Sequence, residues 1–259
     1  MTWLPAHDVP PIDEGGCQVW WASPLMSDLW HQRLLDPVER GRRERLRRAA
    51  DRDRFTVAVA LTRRVLGAHL GVAPPAVRID RTCPRCQEPH GKPRLTDSPA
   101  AFEFSISHSG DRVAVAVTAG PPVGVDVEQL ADPRRLAGLG HHVLSPAETP
   151  ELDRLGAHEY ARGLLRYWTR KEAVLKATGD GLTQALPNLT VSAPDQPPRL
   201  LRWTTRPDIP AQLALYDLNP GNGYLASLAT LDPTPSVITE FDATGVLSEP
   251  EKDIGESRP

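Results

Sequence analysis

The segment Gly124-Val125-Asp126-Val127-Glu128 decides how the middle of this 259-residue chain folds. Its alternation of valine with other residues predicts a β-strand. Residues two apart on a strand project to the same face, so Asp126 and Glu128 place two carboxylates side by side. Such a pair is unfavourable unless a cation or a proton lies between the charges. The segment therefore predicts either a site for a hard cation such as Mg²⁺, which prefers oxygen ligands, or an edge strand with a solvated acidic face.

A second decisive segment is Trp168-Thr169-Arg170-Lys171-Glu172-Ala173-Val174-Leu175-Lys176, within the strongest helical pattern of the chain, 158–178. Glu172 and Lys176 are four residues apart on one helix face, where they can form an ion pair. Thr169 and Glu172 also have the spacing of a capping box, although the helical pattern begins well before them. The functional alternative makes Glu172 a third metal ligand or a base, and Lys176 a phosphate contact.

Between these segments and the N-terminus, residues 102–108 and 113–118 alternate apolar with small or polar residues. They predict a β-hairpin whose turn is Ser109-Gly110-Asp111. Ser107 and His108 end its first strand, but they do not predict a serine hydrolase, because adjacent strand residues project to opposite faces and a Gly-x-Ser-x-Gly elbow is missing. We interpret them as hydrogen-bonding groups for phosphate or, alternatively, as ordinary strand-end polarity.

Residues 36–70 have a helical pattern, and the stretch 40–54 within it carries eight arginines against three acids, a local charge of +5. A solvated helix face is the ordinary explanation of such a run. Arg54, together with Lys92 of the Gly91-Lys92-Pro93 segment, also suits an anionic ligand such as a nucleotide phosphate. A nucleic-acid-binding surface ranks last, because only Phe55 accompanies the charge as an aromatic that could stack on a base.

Cys83, Cys86 and His90 form the beginning of a zinc-binding pattern. A structural zinc site takes four ligands, and the sequence supplies no second Cys-x-x-Cys pair. We therefore favour a proline-rich surface loop and leave zinc open. The three cysteines of the chain, an odd count, do not predict a disulfide framework.

The composition, 40% hydrophobic and 24% charged, is ordinary for a globular protein. No apolar run approaches the roughly 20 residues that cross a bilayer, and the N-terminus lacks the pattern of a signal peptide. We expect a cytoplasmic protein that binds neither membrane nor nucleic acid. The segment 236–259 carries six acids against two basic residues, which predicts a disordered tail.

Taken together, the two acidic segments resemble the paired signature of 4'-phosphopantetheinyl transferases of the two-lobed, surfactin-synthetase-activating (Sfp-like) type. Gly91-Lys92-Pro93 and Ile106-Ser107-His108-Ser109 precede them in the matching order, so the resemblance covers roughly residues 35–190. It implies an α+β fold of two pseudo-symmetric α/β lobes with the active site between them. We expect one lobe in 1–120 and one in 121–235, followed by the 236–259 tail, in a monomer.

The resemblance also implies a reaction. The 4'-phosphopantetheine arm of coenzyme A is transferred to a serine of an apo acyl or peptidyl carrier protein, and 3',5'-ADP is released. Asp126, Glu128 and Glu172 are implied to hold Mg²⁺. Glu172 is also implied to act as the general base, a role that competes with metal ligation for the same carboxylate.

The remaining implied roles belong to cations and hydroxyls. Lys176 and His108 contact the phosphates during catalysis, and Arg54, Lys92 and Ser107 bind the nucleotide end of coenzyme A. The alternative function is another Mg²⁺-dependent enzyme that processes phosphoesters with water as the nucleophile. That enzyme would share the three carboxylates but would not need a carrier protein.

Overall fold

The computed structural model describes residues 4–5, 8–83, 86–89, 91–96, 102–130, 132, 136, 138–181, 184–234 and 237–248. The described helices and strands are, in chain order, β1 (Leu4–Pro5), β2 (Gly16–Ala22), α1 (Pro37–Arg45), α2 (Ala49–Leu70), β3 (Ile79–Asp80), β4 (Arg94–Leu95), β5 (Glu103–Ser109), β6 (Arg112–Thr118), β7 (Val123–Gln129), α3 (Gly140–Val143), α4 (Thr149–Leu152), α5 (Ala157–Thr178), β8 (Leu189–Val191), β9 (Leu200–Trp203), β10 (Ala214–Leu218), β11 (Tyr224–Thr230) and β12 (Val237–Asp242). This mixture of helices and mainly antiparallel strands is the predicted α+β fold.

The larger sheet among the described residues has the strand order β1-β12-β2-β6-β5. The β5–β6 hairpin forms as predicted, with Ser109 paired to Arg112 across its turn. Helix α2 covers one face of this sheet. Its Val57, Leu61 and Val65 pack with the strand residues Trp20 and Val115 in one buried cluster.

A smaller antiparallel sheet has the order β10-β11-β7, and helix α5 covers it. Leu164, Val174 and Leu175 of the helix pack with Leu215 and Leu225 of the strands. The predicted helix at 158–178 is confirmed, and it begins one residue earlier than the pattern indicated. Each sheet therefore carries one long helix of 22 residues.

The two sheets share a buried apolar layer. Val19 and Trp21 of β2 and Ala116 of β6 pack with Val125 and Val127 of β7 in one cluster. Because every second residue of β7 faces this layer, the intervening residues of the strand project away from it. The valines of β7 thus hold the two sheets together, and Asp126 and Glu128 lie on the opposite face of the strand.

The helical pattern at 36–70 divides into two helices, α1 and α2, with a break at 46–48. Asp36 caps α1 in a capping box with Glu39, and Pro37 occupies the first helical turn. Helix α2 ends where the sequence indicated, at Gly71, which adopts a left-handed conformation with a φ angle of 66°.

The prediction of a disordered tail at 236–259 is wrong for residues 237–248. Strand β12 lies between β1 and β2, parallel to both, and the Phe241 ring stacks on Trp20 with 4.6 Å between ring centroids. The prediction counted the acids of this segment and overlooked the β-branched and aromatic residues of Val237–Asp242, which favour a strand. His31 and Arg64 then hydrogen-bond the carbonyls of residues 247 and 248 at 3.0 and 3.2 Å. Residues 249–259 lie outside the described residues.

None of the helices in the described part of the chain has both the length and the apolar character that crossing a membrane requires.

Candidate active site

A cleft of about 420 Å³ lies where α2, α5, β5 and β7 meet. The charged residues, the histidine and the serine that line it are Asp126, Glu128, Glu172, Lys176, His108, Ser107, Arg42 and Arg81. A cavity of about 270 Å³, lined by Lys92 and Gly179, adjoins the cleft through Arg81, Ile106 and Lys176. A larger cavity of about 650 Å³, near Leu152 and Pro194, is lined by none of these carboxylates.

The contact of α5 with β7 depends on Gly124. A Cβ atom at this position would overlap the backbone of Ala173 and Ala177, and it would lie 2.9 Å from the carbonyl carbon of Lys176. Only a residue without a side chain therefore lets the helix rest directly on the strand. This close approach brings Glu172 and Lys176 up to the acidic face of β7.

Asp126 is almost fully buried, with 3% of its surface exposed. Its Oδ1 accepts hydrogen bonds from Lys176 Nζ at 2.6 Å and from Ser107 Oγ at 2.9 Å. Its Oδ2 is buried and has no hydrogen-bond partner within the described part of the chain. A buried carboxylate oxygen without a partner is costly, so this atom marks a position for a further positive group.

The neighbouring carboxylates hold their protons unusually tightly. Burial, followed by repulsion from Asp126, raises the pKa of Glu128 to about 7. Burial, again followed by the charge of Asp126, raises the pKa of Glu172, while Lys176 opposes this shift. Glu128 Oε2 accepts a hydrogen bond from Ser109 Oγ at 2.7 Å. Three carboxylates therefore lie close together here, and the single positive charge of Lys176 cannot neutralise all of them when they are ionised.

These residues suit a hard divalent cation. The donors are all carboxylate oxygens, which such ions prefer, and Asp126 Oδ2 lacks a partner. A cation would also relieve the mutual repulsion that raises the pKa values of Glu128 and Glu172. In the described residues the acidic side chains are not gathered into a closed cluster of three or more metal-binding groups.

The sequence prediction for Lys176 was a phosphate contact. In the structure Nζ donates to Asp126 Oδ1, to Ser107 Oγ at 2.9 Å and to the Val125 carbonyl at 3.1 Å. An ammonium group has three N–H donors, so these acceptors occupy all of them. Lys176 lines the cleft, but it pairs with Asp126 instead of forming the alternative ion pair with Glu172.

Ser107 is likewise fully engaged. Its hydroxyl donates to Asp126 and accepts from Lys176 and from the backbone N–H of Val127, which uses its one donor and both acceptor sites. The structure thus places Ser107 beside the carboxylates, joining β5 to β7. His108 faces the cleft, where desolvation, followed by the charges of Lys176 and Arg54, lowers its pKa.

Two predicted nucleotide contacts, Arg54 and Lys92, do not line the cleft itself. Arg54 donates to the carbonyl of Gly110 at 2.9 Å and pairs with Asp51, so it points to the β5–β6 turn. Lys92 lines the adjoining cavity, donates to the Ala177 carbonyl at 2.9 Å and lies 3.5 Å from a Glu103 oxygen. Burial lowers the pKa of Lys92. Lys92 thus remains next to the cleft, whereas Arg54 does not line it.

Arg42 and Arg81 line the cleft and were missed from the sequence. Arg81 borders both cavities, and its guanidinium forms no hydrogen bond or ion pair with another described residue. Burial, followed by repulsion from Arg42, lowers the pKa of Arg81. Arg42 stood within the arginine run, where nothing distinguished it from its neighbours, and Arg81 follows a strand of only two residues. No sequence pattern identified either one.

The second decisive segment contains both structural and cleft-facing residues. Arg170 is fully buried and bonds Asp217 at 2.7 Å, and buried Lys171 bonds Glu148 at 2.5 Å. Glu172 and Lys176 face the cleft instead. The capping-box alternative is wrong, since α5 begins at Ala157.

The structure describes two of the three residues of the candidate zinc site. Cys83 is half-buried and Cys86 is exposed, whereas His90 lies outside the described residues. The segment around Cys83 does influence the cleft. The Gly91 N–H bonds the Arg81 carbonyl at 2.7 Å, which ties the two ends of this loop together between the two cationic residues Arg81 and Lys92.

Comparison with known proteins assigns the region that carries these residues. Residues 122–229 match the sequence profile of the 4'-phosphopantetheinyl transferase superfamily. The matched region contains β7 and α5.

Curated relatives extend the similarity beyond this region. The chain is 34% identical over 151 residues to the 4'-phosphopantetheinyl transferase HetI of Nostoc sp., covering 58% of this chain and 61% of HetI. It is 30% identical over 154 residues to the 4'-phosphopantetheinyl transferase psf-1 of Bacillus pumilus, covering 60% of this chain and 63% of psf-1. The match thus spans about three fifths of the length of these relatives.

Among solved structures, the chain is similar to a holo-ACP-synthase from Plasmodium yoelii. The sequence identity is 17% and the TM-score 0.35, and the match covers 42% of this chain and 91% of that one.

Proposed function

We propose that this protein transfers the 4'-phosphopantetheine arm of coenzyme A to a serine of an apo acyl or peptidyl carrier protein, with Mg²⁺, and releases 3',5'-ADP. One observation carries the proposal. Asp126, Glu128 and Glu172 meet in one cleft, within the region that matches the transferase superfamily. The named activity of HetI and psf-1 supports the same reaction.

The organisation of the chain supports action as a monomer. We propose one lobe built from the β1-β12-β2-β6-β5 sheet with α2, and another from the β10-β11-β7 sheet with α5. Both walls of the cleft then come from a single chain, with α2 and β5 on one side and β7 and α5 on the other. The use of coenzyme A supports a cytoplasmic site of action.

Glu172 is suited to accept a proton. Its pKa is raised towards the pH at which the enzyme works, and a general base is most effective when its pKa lies near that pH. In the proposed reaction the carrier serine gives its proton to Glu172, directly or through water, as its oxygen attacks the β-phosphorus. The bond from that phosphorus to the 3',5'-ADP oxygen breaks. Mg²⁺, when bound by Asp126, Glu128 or Glu172, would neutralise charge on the pyrophosphate.

The basic side chains near the cleft have different roles in the proposed reaction. Lys176 holds Asp126 and is committed to that role by its three hydrogen bonds. Arg81 lies on the border of both cavities, its guanidinium bonds no other residue in the part of the chain that the structure describes, and it is the best placed side chain to bind a phosphate. His108 and Lys92 flank it, one in the cleft and one in the adjoining cavity.

The test is the mass of an apo carrier protein after incubation with the enzyme, coenzyme A and Mg²⁺. We expect a gain of one phosphopantetheine arm that is lost with EDTA or when the acceptor serine is replaced by alanine. Glu172→Gln should lower the rate by about 10²–10⁴-fold, as loss of a general base does. Glu159→Gln, in the first turn of the same helix, is the matched control and should remain active.

Two results would contradict the proposal. One is an unchanged rate for Glu172→Gln. The other is hydrolysis of simple phosphodiesters without any carrier protein, combined with no mass gain on fatty-acid, polyketide or peptide carriers. The second result would indicate the alternative phosphoester-processing enzyme, which no observation on the structure favours.

A further inference from the structure

Strands β5 and β7 run side by side but belong to different sheets among the described strands. Serine hydroxyls connect them: each serine accepts a hydrogen bond from a backbone N–H located twenty residues further along the chain. The pairs are Ser105 with Val125 at 3.1 Å, Ser107 with Val127 at 3.3 Å and Ser109 with Gln129 at 3.1 Å. We call Ser105, Ser107 and Ser109 the serine bridge.

The serine bridge satisfies an otherwise open strand edge. Strand β7 ends the smaller sheet, so the N–H groups on its outer side lack a backbone partner strand. The N–H groups of Val125 and Val127 are buried and need acceptors, which Ser105 and Ser107 supply, and Ser109 bonds the exposed N–H of Gln129. Residues two apart on β5 project to the same side, which is why every second residue of this strand is a serine.

Two members of the serine bridge make a second contact. Ser107 Oγ donates to Asp126 Oδ1 at 2.9 Å, and Ser109 Oγ donates to Glu128 Oε2 at 2.7 Å. In both cases the carboxylate lies nineteen residues after the serine. The residue in the same relation to Ser105 is Gly124, which has no side chain. Ser105 therefore bridges the strands without touching a carboxylate.

We propose that Ser109 is a positioning residue that fixes the carboxylate of Glu128 for cation binding, and that Ser107 does the same for Asp126. A hydroxyl whose oxygen accepts a backbone N–H is held between the two strands, and in the structure its own proton is directed to one oxygen of the neighbouring carboxylate. For Asp126 the selected oxygen is Oδ1, and Oδ2 is left without a partner within the described residues. The inference rests on the proposed function, because it concerns the same cation.

The chain contains its own matched control. Ser109→Ala and Ser105→Ala each remove one hydroxyl and one acceptor for a β7 N–H, but only Ser109→Ala removes a bond to a carboxylate. The readout is Mn²⁺ binding to the purified protein by calorimetry, without coenzyme A or carrier protein. We expect Ser109→Ala to weaken binding by about 10–100-fold, as loss of a group that orients a metal ligand does. Ser105→Ala should stay within about twofold of the wild type.

Ser109→Thr keeps a hydroxyl and should recover most of the affinity, which a purely steric role would not allow. The rate of phosphopantetheine transfer is measured in parallel. The inference is overturned if both alanine variants weaken Mn²⁺ binding equally, or if neither does, while the wild type transfers the arm; the proposed function then stands. A wild type that neither binds Mn²⁺ nor modifies any carrier overturns both.

Discussion

Helices α2 and α5 are alike in construction but different in use. Each has 22 residues, covers one sheet and ends at a glycine in the left-handed conformation, Gly71 or Gly179. Each also buries one arginine completely against a carboxylate, Arg63 in α2 and Arg170 in α5. Yet α5 alone of the two brings carboxylate and ammonium groups to the described cleft, whereas α2 contributes Phe55, Ala58 and Val59.

The comparison shows that the charge of a residue does not reveal its role; its surroundings do. Arg63 and Arg170 are charged residues that hold the fold, because every direction around each guanidinium is filled by carboxylates and carbonyls. Glu172 is only half-buried and has a raised pKa, and the nearby Lys176 forms its ion pair with Asp126. Charged side chains that stabilise the fold are paired with opposite charges, whereas the carboxylates in the cleft are not fully neutralised by their neighbours.

We expect the largest effect on the cleft from a substitution at Gly124, where α5 touches its sheet. We expect Gly124→Ala to push α5 off β7, because the new methyl group would overlap the backbone of Ala173 and Ala177. Displacing Glu172 by about 1 Å can cost roughly 100-fold in rate. Transfer activity and thermal unfolding are measured together. Gly41→Ala, where a Cβ meets only a distant Arg45 side-chain atom, is the control. A fully active Gly124→Ala protein would contradict this account.

The two buried arginines, Arg63 and Arg170, both stabilise the folded chain. We expect Arg63→Met to lower the free energy of unfolding by about 3–5 kcal/mol, since it leaves the buried Glu39 carboxylate unpaired. Arg170→Met should lower it by about 1–3 kcal/mol, since it leaves the buried Ser192 carbonyl without its donor while Asp217 keeps Arg166. Urea unfolding measures the effect. Arg162→Met, an exposed arginine of α5, should change stability by no more than about 0.5 kcal/mol. If only one of the two buried arginines matters, the helices are not equivalent in construction.

The smallest expected effect concerns the pH dependence of Glu128. Its pKa rises from 4.5 to about 7 on folding, so the folded chain binds this proton more tightly than the unfolded chain. The resulting stabilisation is full below pH 4.5 and is lost as the pH rises through about 7. In metal-free buffer at pH 8, Glu128→Gln should therefore melt above the wild type, by about 2–4 °C for each kcal/mol relieved.

At pH 4.5 that advantage should disappear, because Glu128 is then protonated in the folded protein. Glu44→Gln, which replaces an exposed carboxylate of α1, serves as the control and should not show this pH dependence. Added Mg²⁺ should raise the melting temperature of the wild type at pH 8 and leave that of Glu128→Gln less affected. If Glu128→Gln melts below the wild type at pH 8 without metal, the negative charge of Glu128 does not destabilise the folded protein and this explanation is wrong.

The sequence predicted local features well because they depend on periodicity. Alternation within Val123–Gln129 placed Asp126 and Glu128 on one face, and the 3.6-residue period placed Glu172 and Lys176 together on a helix. The same reasoning failed for 237–248, since a count of charges says nothing about an available strand edge. It could not separate Arg54, bound at a turn, from Arg81 in the cleft, because both are arginines near apolar strands or helices.

By itself, the sequence determined the strand with two carboxylates, the helix with the third and, through their order, the kind of chemistry to expect. Packing between distant segments then set which charged side chains pair with each other inside the fold and which are left unpaired in the cleft. It set Lys176 on Asp126, buried Lys171 on Glu148, and aligned the serine bridge with β7. The physical reason is that periodicity fixes which residues share a face, whereas the partner of that face is fixed by packing between segments distant in the chain.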